Sequence, residues 1–455
     1  MPANGRDMTG FRAAPCLRLI PRSAGRRVVW SLYALLLIAA PLLLNSRLSL
    51  TLLSQAAYLI IICLSCNILL GQGGMLSFGH AVYAGMGSFG AVYAMNAAAH
   101  GGFYMPLPLI PLVGGLAGLC LAALLGYVST RKAGTTFAMM TLGVGELVAA
   151  LALMLPTVFG GEGGISTNRV YGPAWWGLTF GPQIQVYYLI AAYCFVCTAA
   201  MFALTRTPLG RLLNAVRDNP ERAAFIGCNP QRVRYQAFLL AGFFAGIGGA
   251  LAAIHSEIVT VEVLGSARSG SLLVFTFLGG SAFFFGPIIG AVFLVLALVG
   301  LSALTPAWLL YVGLMFLLMV MYAPGGLASL LVMNLRLAAA GKLKFLGAAY
   351  LALLAAALPA LTGTAALVEM LYRLQLDATL GMTLDFMGVW LNADQPAAWL
   401  GAGLLGLVGW GWFALARRRF LAQWHQLQAG MESESAAQTG ADADAETVIL
   451  NRSWP

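Results

Sequence analysis

Long apolar runs separated by short polar segments dominate this chain. An α-helix needs about 20 apolar residues to cross the hydrocarbon core of a bilayer, and the runs recur near that length. They predict an all-α, polytopic transmembrane protein with about 10–12 spans, some of them broken helices. The predicted spans are residues 28–44, 48–70, 75–97, 105–129, 134–159, 183–204, 235–254, 269–283, 285–304, 306–322, 345–368 and 397–416.

The longest polar interruption lies at residues 205–234 and contains three helix-start signals. In each signal a capping side chain precedes a proline, whose missing N–H costs nothing at the first helical position. The signals are Thr207-Pro208, Asn219-Pro220 and Asn229-Pro230. We therefore predict three short helices in succession, the second of which ends at Gly227 in a left-handed cap. The alternative interpretation is a solvated connector that lies at the lipid headgroups.

Basic residues collect on one side of this predicted topology. With the N-terminus inside, all of the 25 Lys and Arg residues fall in internal segments except Arg47, Arg169, Arg268 and Arg373. Cytoplasmic loops of membrane proteins carry such an excess, so both termini and the 205–234 loop are predicted to be cytoplasmic. The formal net charge of +9 then reflects membrane orientation, and no nucleic-acid partner is needed to explain it.

Composition supports a lipid environment and divides the chain into segments. Only 9% of residues are charged and mean hydropathy is +0.84, far from the usual globular mixture. We expect a basic cytoplasmic tail at 1–27, a core at 28–333, an extension with two further spans at 334–430, and an acidic disordered tail at 431–455. The Arg-rich start lacks the small-residue cleavage site of a signal peptide.

The first half has its highest glycine density at residues 67–90. Gly85, Gly87 and Gly90 form a G-x-G-x-x-G string, but no strand precedes it, so close helix packing or a broken helix is the favoured interpretation. Ser77 and His80 are polar groups at membrane depth and need internal partners. Either they face a translocation pathway, or His80 is a hydrogen-bonded structural residue.

A second interrupted apolar segment lies at residues 272–292. Its breaks fall at Gly279, Gly280, Gly286 and Pro287. Paired glycine- or proline-broken segments in the two halves of a transporter point to a central translocation site. The alternative is an ordinary pair of short or kinked helices.

Other chemistry-bearing residues are few. Glu146 is an acid well inside a predicted span, which makes it a candidate for the pathway, although a buried structural hydrogen bond is an alternative. Two C-x-x-C pairs, at residues 63–66 and 194–197, lie in apolar spans without nearby histidine or charge. They predict packing between helices, and no metal site.

An energy source is missing from the sequence. No G-x-x-x-x-G-K-[ST] motif occurs, so the chain is not a P-loop ATPase by itself. No catalytic triad, zinc-protease motif or intramembrane cluster of acids and histidines is present either. A membrane-embedded enzyme is therefore disfavoured, and energy has to enter from another chain or from an ion gradient.

Four passages resemble the permease subunits of bacterial branched-chain amino acid ABC importers of the LivM type. They are NILLGQGGMLSFGHAVYAGMGS, RKAGTTFAMMTLGVGELV, TPLGRLLNAVRDNPERAAFIG, and FLGGSAFFFGPIIGA followed by MYAPGGL. They occur in the family's order and extend across residues 28–330. Met75 departs from the pattern, since many relatives have glutamine there, and the basic family core does not require the extension after about residue 334.

The resemblance implies how the chain is energised. In such importers a cytoplasmic permease loop with an E-A-A…G pattern docks in a groove of the ATP-binding subunit, and Arg222 stands here where that pattern has its first alanine. The residues expected to couple to the ATPase are Asn219, Pro220, Glu221, Ala223, Ala224 and Gly227. The chain itself would bind no cofactor, because ATP and Mg²⁺ belong to partner subunits.

The resemblance also implies partners and a location. We expect a multi-pass protein of the bacterial inner membrane with a homologous second permease, two ATP-binding subunits and a periplasmic solute-binding protein. Its cargo would be a branched-chain amino acid, another amino acid, urea or a short amide. The alternative is a stand-alone, ion-coupled secondary transporter of small polar solutes, which would need no partner.

Overall fold

The computed structural model describes residues 23–423 except 45, 102–104, 172–178, 306, 324, 340–342, 377–382, 387–388 and 393–394. The tail predicted at 431–455 and most of that predicted at 1–27 lie outside the described residues. The chain forms two compact units, one up to Ser269 and one from Gly270 onward. This division differs from the predicted segment boundary at 333/334, which stays a prediction.

The first unit contains ten complete α-helices among its described residues, together with short π- and 3-10-helical segments and one small strand pair. The helices are α1 Ser23–Leu43, α2 Arg47–Asn67, α3 His80–Ala99, α4 Ile110–Ser129, α5 Thr135–Met154, α6 Pro156–Phe159, α7 Gln183–Arg206, α8 Pro208–Asp218, α9 Pro220–Phe225 and α10 Pro230–Ser256. Strands β1 Ile165–Ser166 and β2 Ile258–Val259 pair antiparallel.

The second unit contains the remaining described elements. They are helices α11 Ser266–Gly279, which begins at the end of the first unit, α12 Gly286–Val295, α13 Ser302–Leu304, α14 Trp308–Tyr322, α15 Gly326–Ala339, α16 Leu343–Leu376 and α17 Pro396–Gln423, and the antiparallel strands β3 Thr383–Phe386 and β4 Val389–Asn392. A π-helical segment, Leu296–Leu301, joins α12 to α13.

The helices confirm an all-α, polytopic membrane fold. Seven helices in the described part of the chain are long and apolar enough to span a bilayer, or eight if the bent pair at α14 and α15 counts as one span. Shorter apolar helices at Arg27–Leu43 and Gly286–Leu301 account for part of the difference from the predicted 10–12. The last two long helices, α16 and α17, occupy the predicted extension.

Glycine contacts set the packing of α3, α4 and α10. A methyl group on Gly246 would lie 2.4 Å from Gly114 O, and one on Gly87 would lie 2.3 Å from Gly246 O. On Gly249 it would lie 1.8 Å from Ala84 O. The three backbones therefore approach as closely as glycine allows, which confirms close helix packing as the meaning of the glycine-rich sequence.

A buried acid fixes the extension within the second unit. The Glu369 carboxyl on α16 is only 7% exposed and accepts hydrogen bonds from the hydroxyls of Thr305 and Tyr311. Gly363 on α16 and Gly406 on α17 let these two helices meet backbone to backbone. The extension is thus packed into its unit by both polar and small-residue contacts.

We expect Gly246→Val to destabilise the protein strongly, because the new side chain collides with the α4 backbone. Overpacking of this kind costs about 1–3 kcal/mol, and more where backbone is the obstacle. The measurement is the thermal unfolding midpoint in detergent. The matched control is Gly401→Val on α17, where an added methyl group would meet no atom within 4 Å. Equal midpoints for the two variants would contradict the role of the glycine contacts.

Candidate functional site

The 205–234 loop begins its helices where the sequence predicts. Thr207 Oγ1 caps α8 by accepting from Gly210 N at 3.4 Å. Asn219 Oδ1 caps α9 by accepting from Arg222 N at 3.0 Å, and Asn229 Oδ1 caps α10 by accepting from Gln231 N at 3.0 Å. All three predicted capping side chains are confirmed, because a local polar group satisfies N–H donors that the first turn leaves free.

The prediction of three short helices is wrong for the third. The helix that starts at Pro230 continues for 27 residues to Ser256 and includes the span predicted at 235–254. No proline interrupts this sequence, and its apolar residues continue without a gap, so the new helix has no reason to end at the membrane surface. Only α8 and α9 are short, and α10 ties their far end directly to the bundle.

Helix α9 ends in a left-handed cap that leaves two large apolar side chains in the open. Gly227 has φ +84°, and its N–H and that of Cys228 bond to the carbonyls of Ala224 and Ala223 at 3.0 and 3.1 Å. Ala223 is buried, whereas Phe225 is 90% and Ile226 is 76% exposed. Sequence reasoning missed the exposure of this pair; the signal was apolar residues at the end of a helix too short to bury them.

Glu221, Ala224 and Gly227, all predicted to couple to an ATPase, are exposed together with Phe225 and Ile226. Asn219 and Pro220 form the start of the same helix. We call the exposed set Glu221, Arg222, Ala224, Phe225 and Ile226 the α9 tip. Its members lie within six consecutive residues at and just after α9, so they are close together on the exposed part of the loop.

Helix α8 packs against a break in the membrane bundle. Its Leu213 and Val216 side chains are buried. The Arg217 guanidinium donates a hydrogen bond to Gly71 O, in the π-helical turn Ile68–Gln72 that extends α2. The contact was missed from sequence because it joins residues far apart in the chain.

The broken helix predicted in the glycine-rich segment is confirmed. After the π-helical turn the chain leaves helical geometry, and α3 begins only at His80. Gly74, with φ +62°, makes the turn out of the helix. Most of this non-helical backbone is buried or half-buried against neighbouring helices, while Gly74 itself is exposed.

Polar groups cluster along the break. His80 Nε2 lies 2.8 Å from Ser65 Oγ, Phe78 N donates to Thr141 Oγ1 at 3.2 Å, and Ala81 N donates to Ser269 Oγ at 3.1 Å. His80 is therefore a hydrogen-bonded buried residue, as one of the two sequence interpretations held. Ser65, Thr141 and Ser269 are members that sequence reasoning missed.

Three buried polar atoms along the break have no hydrogen-bond partner among the described residues. They are Asn67 Oδ1, Ser77 Oγ and His80 Nδ1. Native structures leave few buried polar atoms unpaired, and each such atom calls for an explanation. Ser77 and His80, both predicted as pathway candidates, thus each keep hydrogen-bonding capacity that the described protein does not use.

Glu146 lies on the open side of α5. Phe137, Thr141, Gly145 and Val148 form the buried face of this helix, whereas Glu146 and Gly143 are exposed. A methyl group on Gly143 would meet no atom within 4 Å. The helical period turns residue 146 away from the face of α5 that packs within this chain, and its place in the pathway stays a prediction.

The second break, between α11 and α12, lies in the other unit and is formed by contacts between backbone atoms of glycines. Helix α11 ends at Gly279, Gly280 follows with φ +110°, and α12 starts at Gly286 with Pro287 in its first turn. A methyl group on Gly279 would lie 2.2 Å from Gly286 O, and one on Gly286 would lie 1.9 Å from Gly280 O. The end of α11 and the start of α12 therefore meet backbone to backbone at these four candidate residues, which bring no ionisable side chain to the contact.

The cysteine pairs sit inside helices, as expected for packing residues. Cys63 and Cys66 are buried in α2, and Cys194 and Cys197 are buried in α7. Cys194 Sγ lies 3.2 Å from the Tyr33 hydroxyl. In the part of the chain that the structure describes, no group of three or more His, Cys, Asp or Glu side chains could hold a metal ion.

Long apolar helices, glycine-rich breaks and a capped helical loop define a multi-pass membrane transport subunit. Residues 48–324 match the family described as branched-chain amino acid transport system / permease component. The chain belongs to this family, and it is a permease subunit of an ABC importer. This membership favours a multi-subunit importer over a stand-alone secondary transporter.

Curated relatives agree with the family. The chain is 30% identical over 337 residues to the high-affinity branched-chain amino acid transport system permease protein LivM of Salmonella typhimurium (strain LT2), covering 68% of this chain and 77% of the relative. It is 29% identical over 290 residues to LivM of Escherichia coli (strain K12), covering 59% and 67%. It is 24% identical over 257 residues to the fructose import permease protein FrcC of Rhizobium meliloti, covering 51% and 68%. No solved structure matches it significantly.

We expect Ser65→Ala to lower the free energy of unfolding by about 1–3 kcal/mol, because it leaves His80 Nε2 buried without its partner. Ser54→Ala is the matched control: the Ser54 hydroxyl is equally buried but bonds only to Leu50 O of its own helix. Denaturant titration of both variants in detergent measures the difference. Equal stability would show that the Ser65–His80 contact contributes nothing.

Proposed function

We propose that this chain moves branched-chain amino acids, or a related small polar solute, across the bacterial inner membrane. It does so beside a homologous second permease, with two ATP-binding subunits in the cytoplasm and a periplasmic solute-binding protein outside. ATP and Mg²⁺ bind to the partner subunits, and this chain carries out no catalysis. The names of the LivM relatives support this substrate class. The α9 tip is the structural observation that supports coupling to ATP-binding subunits.

The α9 tip has the composition of a docking surface. Phe225 and Ile226 project from a six-residue helix, and Glu221 and Arg222 rim them with charge. Large exposed apolar side chains rimmed by polar groups mark protein interfaces, where buried aromatic anchors contribute most of the binding energy. The arginines of the surrounding loop favour the cytoplasmic side, where ATP-binding subunits would meet it.

The open face of α5 is the proposed wall of the translocation pathway. An acid at the centre of a membrane span costs about 2.5–3.5 kcal/mol when it faces lipid, so such residues face water or protein. Glu146 lies near the middle of α5, on the side that leaves Gly143 uncovered. A second permease facing this side would enclose a polar route between the two subunits. Ser77 and His80 would offer their unused hydrogen-bonding atoms nearer the break.

We propose that the second break contributes backbone groups, and no side chains, to the translocation route. Gly279, Gly280, Gly286 and Pro287 allow two helices to turn within a few residues. In transporters, broken helices place backbone carbonyls and helix ends beside the substrate. The four residues would thus shape the route without binding solute through side chains.

We expect Phe225→Asp to reduce uptake at least tenfold in vesicles that contain the complete importer, its binding protein outside and labelled leucine. Losing an aromatic anchor costs about 2 kcal/mol or more of binding energy. The ATP-binding subunits should then no longer co-purify with the chain. Gly227→Val, which strains a φ of +84°, and Glu221→Lys should have the same effect.

Leu421→Asp is the matched control for this experiment. Leu421 is an exposed apolar residue of α17, 38% exposed, and lies outside the α9 tip. The variant should retain uptake and co-purification. Normal uptake by Phe225→Asp and Glu221→Lys would refute the docking role of the α9 tip.

We expect a water-soluble thiol reagent to label Glu146→Cys in the assembled importer. The background should have Cys16, the exposed Cys120 and the partly exposed Cys228 replaced by Ser. Leu116→Cys on α4 is the control, because Leu116 is 54% exposed but apolar and is expected to face lipid. Labelling of both or of neither would contradict a water-filled route along α5. Solute in excess should slow the reaction at residue 146 alone.

A further inference from the structure

We propose that Arg217 is the positioning residue that joins the docking helix α9 to the break between α2 and α3. The proposal rests on the proposed function, since it requires α9 to move with an ATP-binding subunit. Arg217 would touch neither solute nor nucleotide. It would set how much of the motion at the loop reaches the polar groups of the membrane break.

One side of the Arg217 guanidinium holds the break. The group donates to Gly71 O within the π-helical turn, where the backbone already departs from regular α-helical bonding. The aliphatic part of the side chain lies against one side of Gly74, where a methyl group would lie 2.6 Å from Arg217 Cγ. Gly74 also has φ +62°, which a side chain would strain. Residue 74 must therefore be glycine for two reasons: its φ disfavours a side chain, and a side chain would collide with Arg217.

The other side of the guanidinium holds the approach to α9. Arg217 Nε and Nη2 each lie 3.0 Å from Asp218 Oδ1. The next residue, Asn219, caps α9 through Arg222 N. Three consecutive residues thus connect the first turn of α9 to the carbonyl of Gly71.

Buried apolar side chains hold α8, which bears Arg217, against the bundle. Leu213, one turn before Arg217, is 2% exposed, and its Cδ1 would lie 3.4 Å from a methyl group on Gly73. Val216 is 1% exposed. Leu213 and Arg217 therefore lie beside adjacent glycines of the break, so we expect a displacement of α8 to displace residues 71–74.

The far end of the break carries the polar groups. Residues 75–79 lead from Gly74 to His80, and Phe78 N is held by Thr141 Oγ1 of α5, the helix that bears Glu146. Coupling in proteins is carried by such contiguous chains of packed and hydrogen-bonded groups. The connection runs from α9 through Arg217 and the glycines to His80 and α5.

The test uses the complete importer in vesicles and measures uptake and ATP hydrolysis in the same preparation. We expect Arg217→Ala to retain the ATP-binding subunits and basal hydrolysis. Stimulation of hydrolysis by the binding protein should be lost, and leucine moved per ATP should fall at least tenfold. Arg217→Lys, which keeps the charge and stem but loses the fork of donors, should recover part of that ratio.

Arg211→Ala is the matched control, because Arg211 is an exposed arginine of the same helix. It should keep both stimulation and the transport ratio. Gly74→Ala, whose methyl group would collide with Arg217 Cγ, should reproduce the uncoupling.

Several results would overturn the proposal. An unchanged transport ratio in Arg217→Ala would do so, as would equal losses in Arg211→Ala. Failure of Arg217→Ala and Arg217→Lys to assemble would show that the residue is needed for folding and would overturn its positioning role.

Results for the wild-type importer separate this inference from the proposed function. If the wild-type importer takes up no leucine, the substrate assignment fails, while stimulation of hydrolysis by the binding protein still decides the role of Arg217. If the wild-type chain binds no ATP-binding subunit, the proposed function and this inference fail together.

Discussion

Backbone polar groups at membrane depth must be satisfied within the protein, and the structure depends on how this chain meets that constraint. A continuous helix does so by itself, whereas a broken one needs neighbours that supply donors and acceptors. The break after α2 is closed by Gly73 N and Met75 N, which bond to Leu69 O at 3.1 and 2.9 Å. Side chains from α5 and from the end of the first unit bond Phe78 N and Ala81 N. An irregular segment is stable here only because several helices converge on it.

Close approach of those helices is what makes the convergence possible. Gly87, Gly114 and Gly246 bring α3, α4 and α10 within backbone contact, so that no solvent or lipid separates them. In lipid there is no hydrophobic force between helices, and association rests on tight packing and interhelical hydrogen bonds. The Ser88 hydroxyl adds one such bond, donating to Gly249 O at 2.8 Å. Gly87, the middle glycine of the G-x-G-x-x-G string, therefore serves to assemble the bundle.

Local chemistry was predictable from sequence, and long-range placement was not. Thr207, Asn219 and Asn229 could be identified as caps because a cap depends on three or four consecutive residues. The extent of α10 does not follow from its local signals, because the cap at Asn229 and the apolar span after it belong to one continuous helix. The exposed position of Glu146 depends on which face of α5 packs, and the Arg217–Gly71 contact depends on the folded chain. Neither is encoded in the spacing of nearby residues.

The short helices of the loop explain why so many contacts converge on Arg217. A six-residue helix is far below the length at which helices are stable alone, so α9 needs its caps and its packing to keep one shape. Asn219 fixes its start, Gly227 fixes its end, and buried Ala223 anchors its inner face. Phe225 and Ile226 can transmit the motion of an ATP-binding subunit only if α9 stays folded while that subunit moves it. The contacts of α8 with the glycines of the break supply a fixed base for α9, and they connect it to the part of the bundle where the polar groups lie.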